Sequence, residues 1–177
     1  MYDKAGVELY RRLDSAFKAG DLAALRELCG NPPDFPNVWP PHDAISCSLL
    51  QYAIYHSPSV FVRELLQLGA DPNYDDGDGF PSLMATLTSG RQPAVVRELL
   101  TLLLDAGADA NQHGHNDYTP LHWAAAAGDR DIVAFLLARG ADPAVKTRID
   151  DCETPAEVAA RSGHEELAAL LRNATSR

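Results

Sequence analysis

The length, composition and charge of the chain set the first limits on its class. With 177 residues and 46% hydrophobic content, it has the size and apolar share of one globular domain. It has no run of about 18 apolar residues, and its start, MYDKAGVELYRR, lacks the apolar core of a secretory signal. We therefore expect a cytoplasmic protein with no membrane partner, and the net charge of −10 argues against nucleic acid, whose phosphates it repels.

The use of cysteine and lysine bears on the compartment and the source. The three cysteines, Cys29, Cys47 and Cys152, lie far apart and include no CxxC pair. This odd count favours a reducing compartment over a disulfide framework. The chain contains three lysines, 12 arginines and many alanines. This amino-acid usage favours a bacterial coding background.

The first predicted pair of helices lies in LDSAFKAGDLAALRELC, from Leu13 to Cys29. The segment that follows, Gly30 to Ile45, contains five prolines and predicts an extended connection, because proline removes helical hydrogen bonds. It also carries three bulky side chains, which either fold back over the first helices or present a contact surface: Phe35, Val38 and Trp39.

Two further segments share one pattern, a short apolar helix, a turn, a second helix and a GAD turn. They are SLLQYAIYHSPSVFVRELLQLGADPN, from Ser48 to Asn73, and PSLMATLTSGRQPAVVRELLTLLLDAGADAN, from Pro81 to Asn111. The side-chain hydroxyl of an N-cap residue accepts a hydrogen bond from a backbone N–H that has no partner within the helix. Ser48 is therefore predicted to cap its helix. The later segment has about five extra residues, which predict a second helix lengthened from Pro93 toward Asp105.

The clearest copy is DYTPLHWAAAAGDRDIVAFLLARGAD, from Asp117 to Asp142. Thr119 is predicted to cap a helix that begins at Pro120, because proline in the first helical position loses no bond. Gly128 is predicted to end that helix in the left-handed conformation. The second helix shows an apolar stripe with helical spacing, formed by Ile132, Val133, Leu136 and Leu137.

The last copy, Thr154 to Leu171, stops before another GAD. The GAD glycines Gly69, Gly107 and Gly140 are spaced 38 and 33 residues apart, and such a period indicates stacked copies of one small unit. We predict a single domain, 1–177, with approximate units 5–45, 46–78, 79–116, 117–151 and 152–177.

The phrases TPLHWAAAAG and GAD(P/A)N, together with GH before the acidic helix at Gly163 to Leu167, resemble the ankyrin repeat. The resemblance covers nearly all of Leu13 to Leu171. It implies an all-α solenoid of about five stacked helix-turn-helix units with projecting hairpin-like loops. The ends of such a stack carry polar caps, and Arg172 fits a capped end.

The chain departs from the family at the histidine of TPLH. Only His122 keeps it, while Gln51, Met84 and Glu157 replace it. The resemblance implies that this histidine bonds to the backbone of the neighbouring turn. We therefore interpret His122 as a structural core residue instead of a catalytic base.

The sequence offers little catalytic chemistry. DDGDGF, from Asp75 to Phe80, has neither a phosphate-loop spacing nor a calcium-loop frame and is predicted as a hairpin tip. His113 and His115 form an HxH near Asp117, but no further ligands stand at recognisable spacing, so we interpret both as solvated turn residues. No nucleophile, base and oxyanion donor form a set. We predict no catalytic, cofactor or metal site and no enzyme.

The resemblance places partner contacts on the concave face that the loops and first helices form. The corresponding positions in chain order are His42, Ala44, Cys47, Tyr55, His56, Asp75, Gly77, Asp78, Phe80, Thr88, His113, His115, Asn116, Tyr118, Ala126, Arg148, Asp150, Asp151, Glu153 and Arg161. Trp123 either packs between repeats or lies open on the groove.

Two features of these positions bear on the partner. Tyr55, Phe80 and Tyr118 are of the type that anchors interfaces. The aspartates either form an acidic rim that selects a protein with a basic surface, or are polar because loops are solvated; they are Asp75, Asp76, Asp78, Asp117, Asp150 and Asp151.

Three hypotheses for the function follow. The leading one is a non-catalytic module that binds a partner protein, either as an immunity protein or inhibitor of a toxin or effector, or as a regulatory adaptor. The second is a small metal enzyme that uses His113, His115 and Asp117. The third is a structural spacer without a dedicated ligand.

Overall fold

A computed structural model of the protein describes residues 4–41, 44–74, 80–149 and 152–175. These residues contain ten α-helices and no β-strand, so the predicted all-α class is confirmed. The helices follow one another in five pairs. In chain order they are α1 Lys4–Ala19, α2 Leu22–Leu28, α3 Leu49–His56, α4 Ser59–Gln67, α5 Ser82–Thr88, α6 Pro93–Asp105, α7 Pro120–Ala127, α8 Arg130–Ala138, α9 Pro155–Arg161 and α10 Glu165–Thr175.

The first helices of successive pairs pack against one another. α1 contacts α3, α3 contacts α5, α5 contacts α7, and α7 contacts α9. Each first helix also packs on the second helix of its own pair. The buried apolar side chains form one continuous core, which runs from Leu13 and Phe17 in α1 to Leu167 and Leu171 in α10.

The predicted helix signals are confirmed where the structure describes them. The Ser48 hydroxyl accepts a hydrogen bond from the Gln51 backbone N–H at 3.1 Å, at the start of α3. Thr119 is the N-cap of α7 and Pro120 its first residue. Gly128 ends α7 with a left-handed φ of +70°, and α6 has the predicted extra length, 13 residues from Pro93 to Asp105.

Asparagine side chains join successive GAD turns. The Asn73 side chain donates from Nδ2 to the Gly107 carbonyl at 2.9 Å and accepts from the Asp109 backbone N–H at 2.7 Å. Asn111 accepts from the Asp142 backbone N–H at 2.8 Å in the same way. Each asparagine therefore fixes the next turn relative to its own, which explains the N that ends the GAD(P/A)N phrase.

The proline-rich connection supplies the first member of this series. Asn37 donates to the Gly69 carbonyl at 2.8 Å and accepts from the Asp71 backbone N–H at 2.8 Å. The connection thus takes part in the stack, although it contains no GAD phrase.

The three bulky side chains of the connection divide between the two predicted alternatives. Phe35 is buried under the Arg26 guanidinium, and Val38 packs against the core. Trp39 is 46% exposed, and its Nε1 donates to the Tyr74 hydroxyl at 2.8 Å. The connection therefore folds back on the stack and leaves one indole partly in solvent.

Candidate protein-binding surface

Several of the predicted contact residues meet each other across neighbouring helix pairs. The Tyr55 hydroxyl on α3 lies 3.1 Å from the Thr88 hydroxyl on α5. The Phe80 ring, just before α5, stacks on His115 with a centroid distance of 5.3 Å and an angle of 10°. His115 is exposed and Phe80 half-buried, so one side of this pair faces solvent.

The next pair of contacts centres on Tyr118. Its ring stacks on His122 at 5.5 Å, and its hydroxyl accepts from Arg161 Nη2 at 2.8 Å. Arg161 also donates to both oxygens of Glu153, at 2.8 and 2.7 Å. A bidentate pair of this kind holds the guanidinium in one orientation, so Tyr118 stands half-buried against a fixed neighbour.

We refer to the three contacts between adjacent helix pairs or the loops that precede them, Tyr55–Thr88, Phe80–His115 and Tyr118–Arg161, together as the cross-repeat row. It begins on the second helix pair and ends on the fifth. Ala126 is half-buried on α7, and Asn116, exposed with a left-handed φ of 55°, lies in the loop before α7, as Tyr118 does. Trp123 on α7 is also half-buried, so its indole is neither fully packed nor fully open.

Asp117 does not belong to an acidic rim, which corrects the prediction. Its side chain is only 8% exposed, and the Arg148 guanidinium donates to it from Nε at 3.0 Å and from Nη2 at 2.5 Å, together with the Arg148 backbone N–H. These bonds to Arg148 hold the pKa of Asp117 below its ordinary value. The carboxylate is satisfied within the fold, because loop stacking brings Arg148 onto it.

His113 is likewise not the solvated turn residue that the sequence predicts. Its side chain is 20% exposed, and Nδ1 lies 3.1 Å from Asp117 Oδ1 and 2.9 Å from the Asp117 carbonyl oxygen. The metal alternative loses support, since Arg148 already occupies the Asp117 carboxylate. Within the described ranges, no group of three or more His, Cys, Asp or Glu side chains is placed to hold a metal ion.

His122 has the structural role that the sequence predicts. It is fully buried; its Nδ1 accepts from the Thr119 backbone N–H at 3.2 Å, and its Nε2 lies 3.0 Å from the Glu153 carbonyl of the next loop. Nδ1 accepts, so Nε2 carries the proton and donates. Burial lowers the pKa of His122, which agrees with a neutral ring that links two helix pairs.

The replacements at this position take different roles. Glu157 forms a capping box with Thr154: its carboxylate accepts from the Thr154 backbone N–H at 2.7 Å. Met84 is fully buried and packs as an apolar side chain, and Gln51 is buried at the start of α3. Among hydrogen bonds that join described residues, His122 is the one at this position that reaches the next turn in the way that the resemblance implies.

A cleft opens at the N-terminal end of the stack, between α1, residues 44–47 and α3. Its volume is about 450 Å³. We name it the N-terminal cleft; its lining includes four predicted contact residues, Ala44, Cys47, Tyr55 and His56. Val7 and Tyr10 of α1 also line the cleft and were not among the predicted contact residues. Their spacing of three residues, which puts both on one helix face, is the signal in the sequence; they are 39% and 43% exposed.

Other predicted contact residues fall in parts of the chain that the structure does not describe. They are His42, Asp75, Gly77, Asp78, Asp150 and Asp151, together with Asp76 of the predicted acidic rim. The acidic rim therefore stays a prediction, apart from the correction at Asp117.

Comparison with known proteins identifies the family. A family model for ankyrin repeats, in three copies, matches residues 49–147 and 83–176. A putative E3 ubiquitin-protein ligase, XBAT35 of Arabidopsis thaliana, is 33% identical over 118 residues, which is 65% of this chain and 24% of that protein. The ankyrin repeat and KH domain-containing protein mask-1 of Caenorhabditis elegans is 33% identical over 132 residues, 74% of this chain and 5% of that protein.

A viral relative covers more of the chain. The putative ankyrin repeat protein FPV014 of Fowlpox virus is 28% identical over 175 residues, 97% of this chain and 36% of that protein. The chain thus spans about a third or less of the length of these three relatives. In the described part of the chain, no helix is long and apolar enough to cross a membrane. The match of the family model and the stacked helix pairs show that the chain belongs to the ankyrin-repeat family, whose repeats generally serve protein–protein interaction without catalysis.

Proposed function

We propose that this chain is a non-catalytic module that binds one partner protein across the face carrying the cross-repeat row. The observation that carries the proposal is the row itself. Three aromatic side chains, Tyr55, Phe80 and Tyr118, are half-buried, and each contacts a side chain of the following helix pair or of the loop that precedes that pair. Rigid aromatic groups with one face in solvent lose little conformational entropy on binding, which is why they anchor interfaces.

The chemistry of the partner follows from charge. A net charge of −10 favours a partner with a basic surface and disfavours nucleic acid. The negative electrostatic field of the chain accelerates its association with a basic protein. The odd cysteine count favours a reducing compartment, which supports binding in the cytoplasm.

The test combines Ala126→Arg with Tyr118→Ala in a capture experiment from native lysate. The arginine adds bulk and charge on α7, the helix that follows Tyr118, and the alanine removes an anchor, so we expect capture to weaken by about 30-fold or more, as for a hot-spot loss of about 2 kcal/mol. Loss of the Tyr118 hydroxyl also removes its bond to Arg161, at a cost of about 1 kcal/mol in folding stability.

Ala134→Arg is the matched control. Ala134 is exposed on α8, a second helix outside the row, so this variant adds the same bulk and charge elsewhere and should keep wild-type capture. Helicity by circular dichroism verifies that all variants fold. Full capture by a folded Ala126→Arg, Tyr118→Ala protein would contradict the proposed face.

A further inference from the structure

Four of the ten residues that line the N-terminal cleft carry aromatic rings. Tyr10 on α1 forms one side, and Tyr52, Tyr55 and His56 on α3 form the other. The His56 ring contacts Tyr52 with a centroid distance of 4.4 Å and lies 6.1 Å from Tyr55. With about 450 Å³ of space, the cleft has room for a long side chain.

The oxygen atoms in the cleft add to its electronegative character. The Tyr52 hydroxyl donates to Asp14 Oδ1 at 3.0 Å and lies 3.4 Å from the Tyr10 hydroxyl. Because the Tyr52 proton is directed to Asp14, the Tyr10 hydroxyl is left to donate to Tyr52, and the Tyr10 oxygen keeps its lone pairs as acceptors. Asp14 is also paired with Lys18 at 2.8 Å, so the attraction of the cleft for a cation depends on the rings and hydroxyls more than on the carboxylate.

These features select among ligand classes. No lysine or arginine stands among the described residues that line the cleft, and the net charge is −10, so an anion would be repelled without a compensating bond. Aromatic faces attract cations through their quadrupoles. A guanidinium is planar, weakly hydrated and able to stack on such faces while it donates to oxygen atoms.

We propose that the N-terminal cleft binds an arginine side chain of the partner protein, as an anchor at one end of the cross-repeat row. The methylene stem packs on Val7 and Ile45 at the cleft wall, as the stems of long cationic side chains do on apolar surface. The guanidinium lies among Tyr10, Tyr55 and His56. Tyr55 belongs both to the row and to the cleft, so one partner segment can engage the two together. The partner in this inference rests on the proposed function, but the chemistry of the cleft does not.

The test uses small probes and needs no partner. N-acetylarginine methylamide is titrated into the protein, and aromatic ¹H–¹³C signals of Tyr10, Tyr55 and His56 are followed by NMR. The citrulline analogue, which has the same shape without the charge, is the matched probe. We expect the arginine probe to shift these signals saturably and the citrulline probe to bind at least about threefold more weakly, as loss of a cation–π contact predicts. Equal binding of the two probes, or no shift with either, overturns the proposal.

Variants assign the binding to the cleft. Tyr10→Ala removes an exposed ring and should abolish the difference between the probes, whereas Tyr10→Phe should keep it. Tyr74→Ala, a tyrosine beside Trp39 and outside the cleft lining, should behave as wild type, and an unchanged arginine titration of Tyr10→Ala contradicts the assignment. Failure of the probes leaves partner capture by the row intact, and failure of the Ala126→Arg, Tyr118→Ala test leaves the probe result intact, so the two proposals fail separately.

Discussion

His164 is one side chain through which two neighbouring helix pairs meet. Its ring lies over Gly128, and a Cβ built on Gly128 would stand 2.5 Å from His164 Cε1. Gly128 also has a φ of +70°, a conformation that an L side chain adopts only at a cost. Both the contact with His164 and the backbone conformation therefore select glycine at position 128.

The first prediction compares Gly128→Ala with Gly140→Ala. Gly140 has a φ of +90° with nothing within 4 Å of the added Cβ, so its substitution costs only left-handed strain, about 1 kcal/mol. Gly128→Ala also forces the His164 ring to move, so we expect it to lower the free energy of unfolding by about 2 kcal/mol in total. The free energy of unfolding, measured by urea denaturation, gives both values.

A double variant checks the cause of the difference. Removing the ring in Gly128→Ala, His164→Ala takes away the group that the new methyl meets, so the two substitutions should be less costly together than the sum of their separate effects. Equal losses for Gly128→Ala and Gly140→Ala would mean that the His164 contact contributes nothing at Gly128.

Single-residue roles could be predicted from sequence where they depend on local structure. The caps at Ser48 and Thr119 and the left-handed Gly128 follow from backbone chemistry within a few residues. The burial of Asp117 does not, because it depends on Arg148, 31 residues beyond Asp117, and on how two loops align. The sequence left Asp117 either in an acidic rim or as a solvated loop residue, and its burial against Arg148 contradicts both.

At the scale of helices and turns, the repeat period predicted the pairs but not all their lengths. α6 has the length that its extra residues predict. α1 begins at Lys4, well before Leu13 where the aligned pattern begins, since the alignment to inner copies carries no information about added turns. Those turns carry Val7 and Tyr10, and so the N-terminal cleft could not be predicted from the repeat alone.

The second prediction concerns the asparagine that joins two GAD turns. Asn73→Ala removes both side-chain bonds to the next turn, to Gly107 and to Asp109. Both are near solvent, so water replaces part of their value, and we expect a loss of about 1 to 2 kcal/mol in the free energy of unfolding. Urea denaturation followed by circular dichroism measures it.

Gln67→Ala is the control for removing a side-chain amide without these bonds. Gln67 is exposed at the end of α4, and its substitution should change stability by no more than about 0.5 kcal/mol. If Asn73→Ala costs no more than Gln67→Ala, the joined turns do not stabilise the stack.

At the scale of the whole molecule, the main helix contacts lie within a pair or between adjacent pairs. Exposed ion pairs follow the same rule: Arg63 pairs with Glu98, Arg139 with Asp105, and Arg130 with Glu166. Such exposed pairs contribute little each, so stability depends mainly on the apolar interfaces between neighbours. A stack of this kind has no contact that ties its two ends directly.

The third prediction follows from this nearest-neighbour design. Leu167 of α10 is 2% exposed and Leu25 of α2 fully buried, at opposite ends of the stack. Leu167→Ala should lower the free energy of opening of α9 and α10 by about 3 kcal/mol, while α1 to α4 keep most of their protection against hydrogen exchange. Leu25→Ala should give the reverse pattern, and exchange followed by mass spectrometry resolves the two ends.

The two variants serve as each other's control, because both remove the same groups from a buried site. The comparison also tests how far the binding face behaves as one unit. If either variant lowers protection equally from α1 to α10, the five pairs unfold together, and the interfaces between them are stronger than the pairs themselves.

If protection falls only near the substituted end, Tyr118 and Arg161 can lose their relative placement while Tyr55 keeps its own, because they belong to the C-terminal pairs and it belongs to the second. A partner that spans the row would then bind the Leu167→Ala protein more weakly and stabilise its C-terminal pairs on binding, since a ligand stabilises the state that binds it.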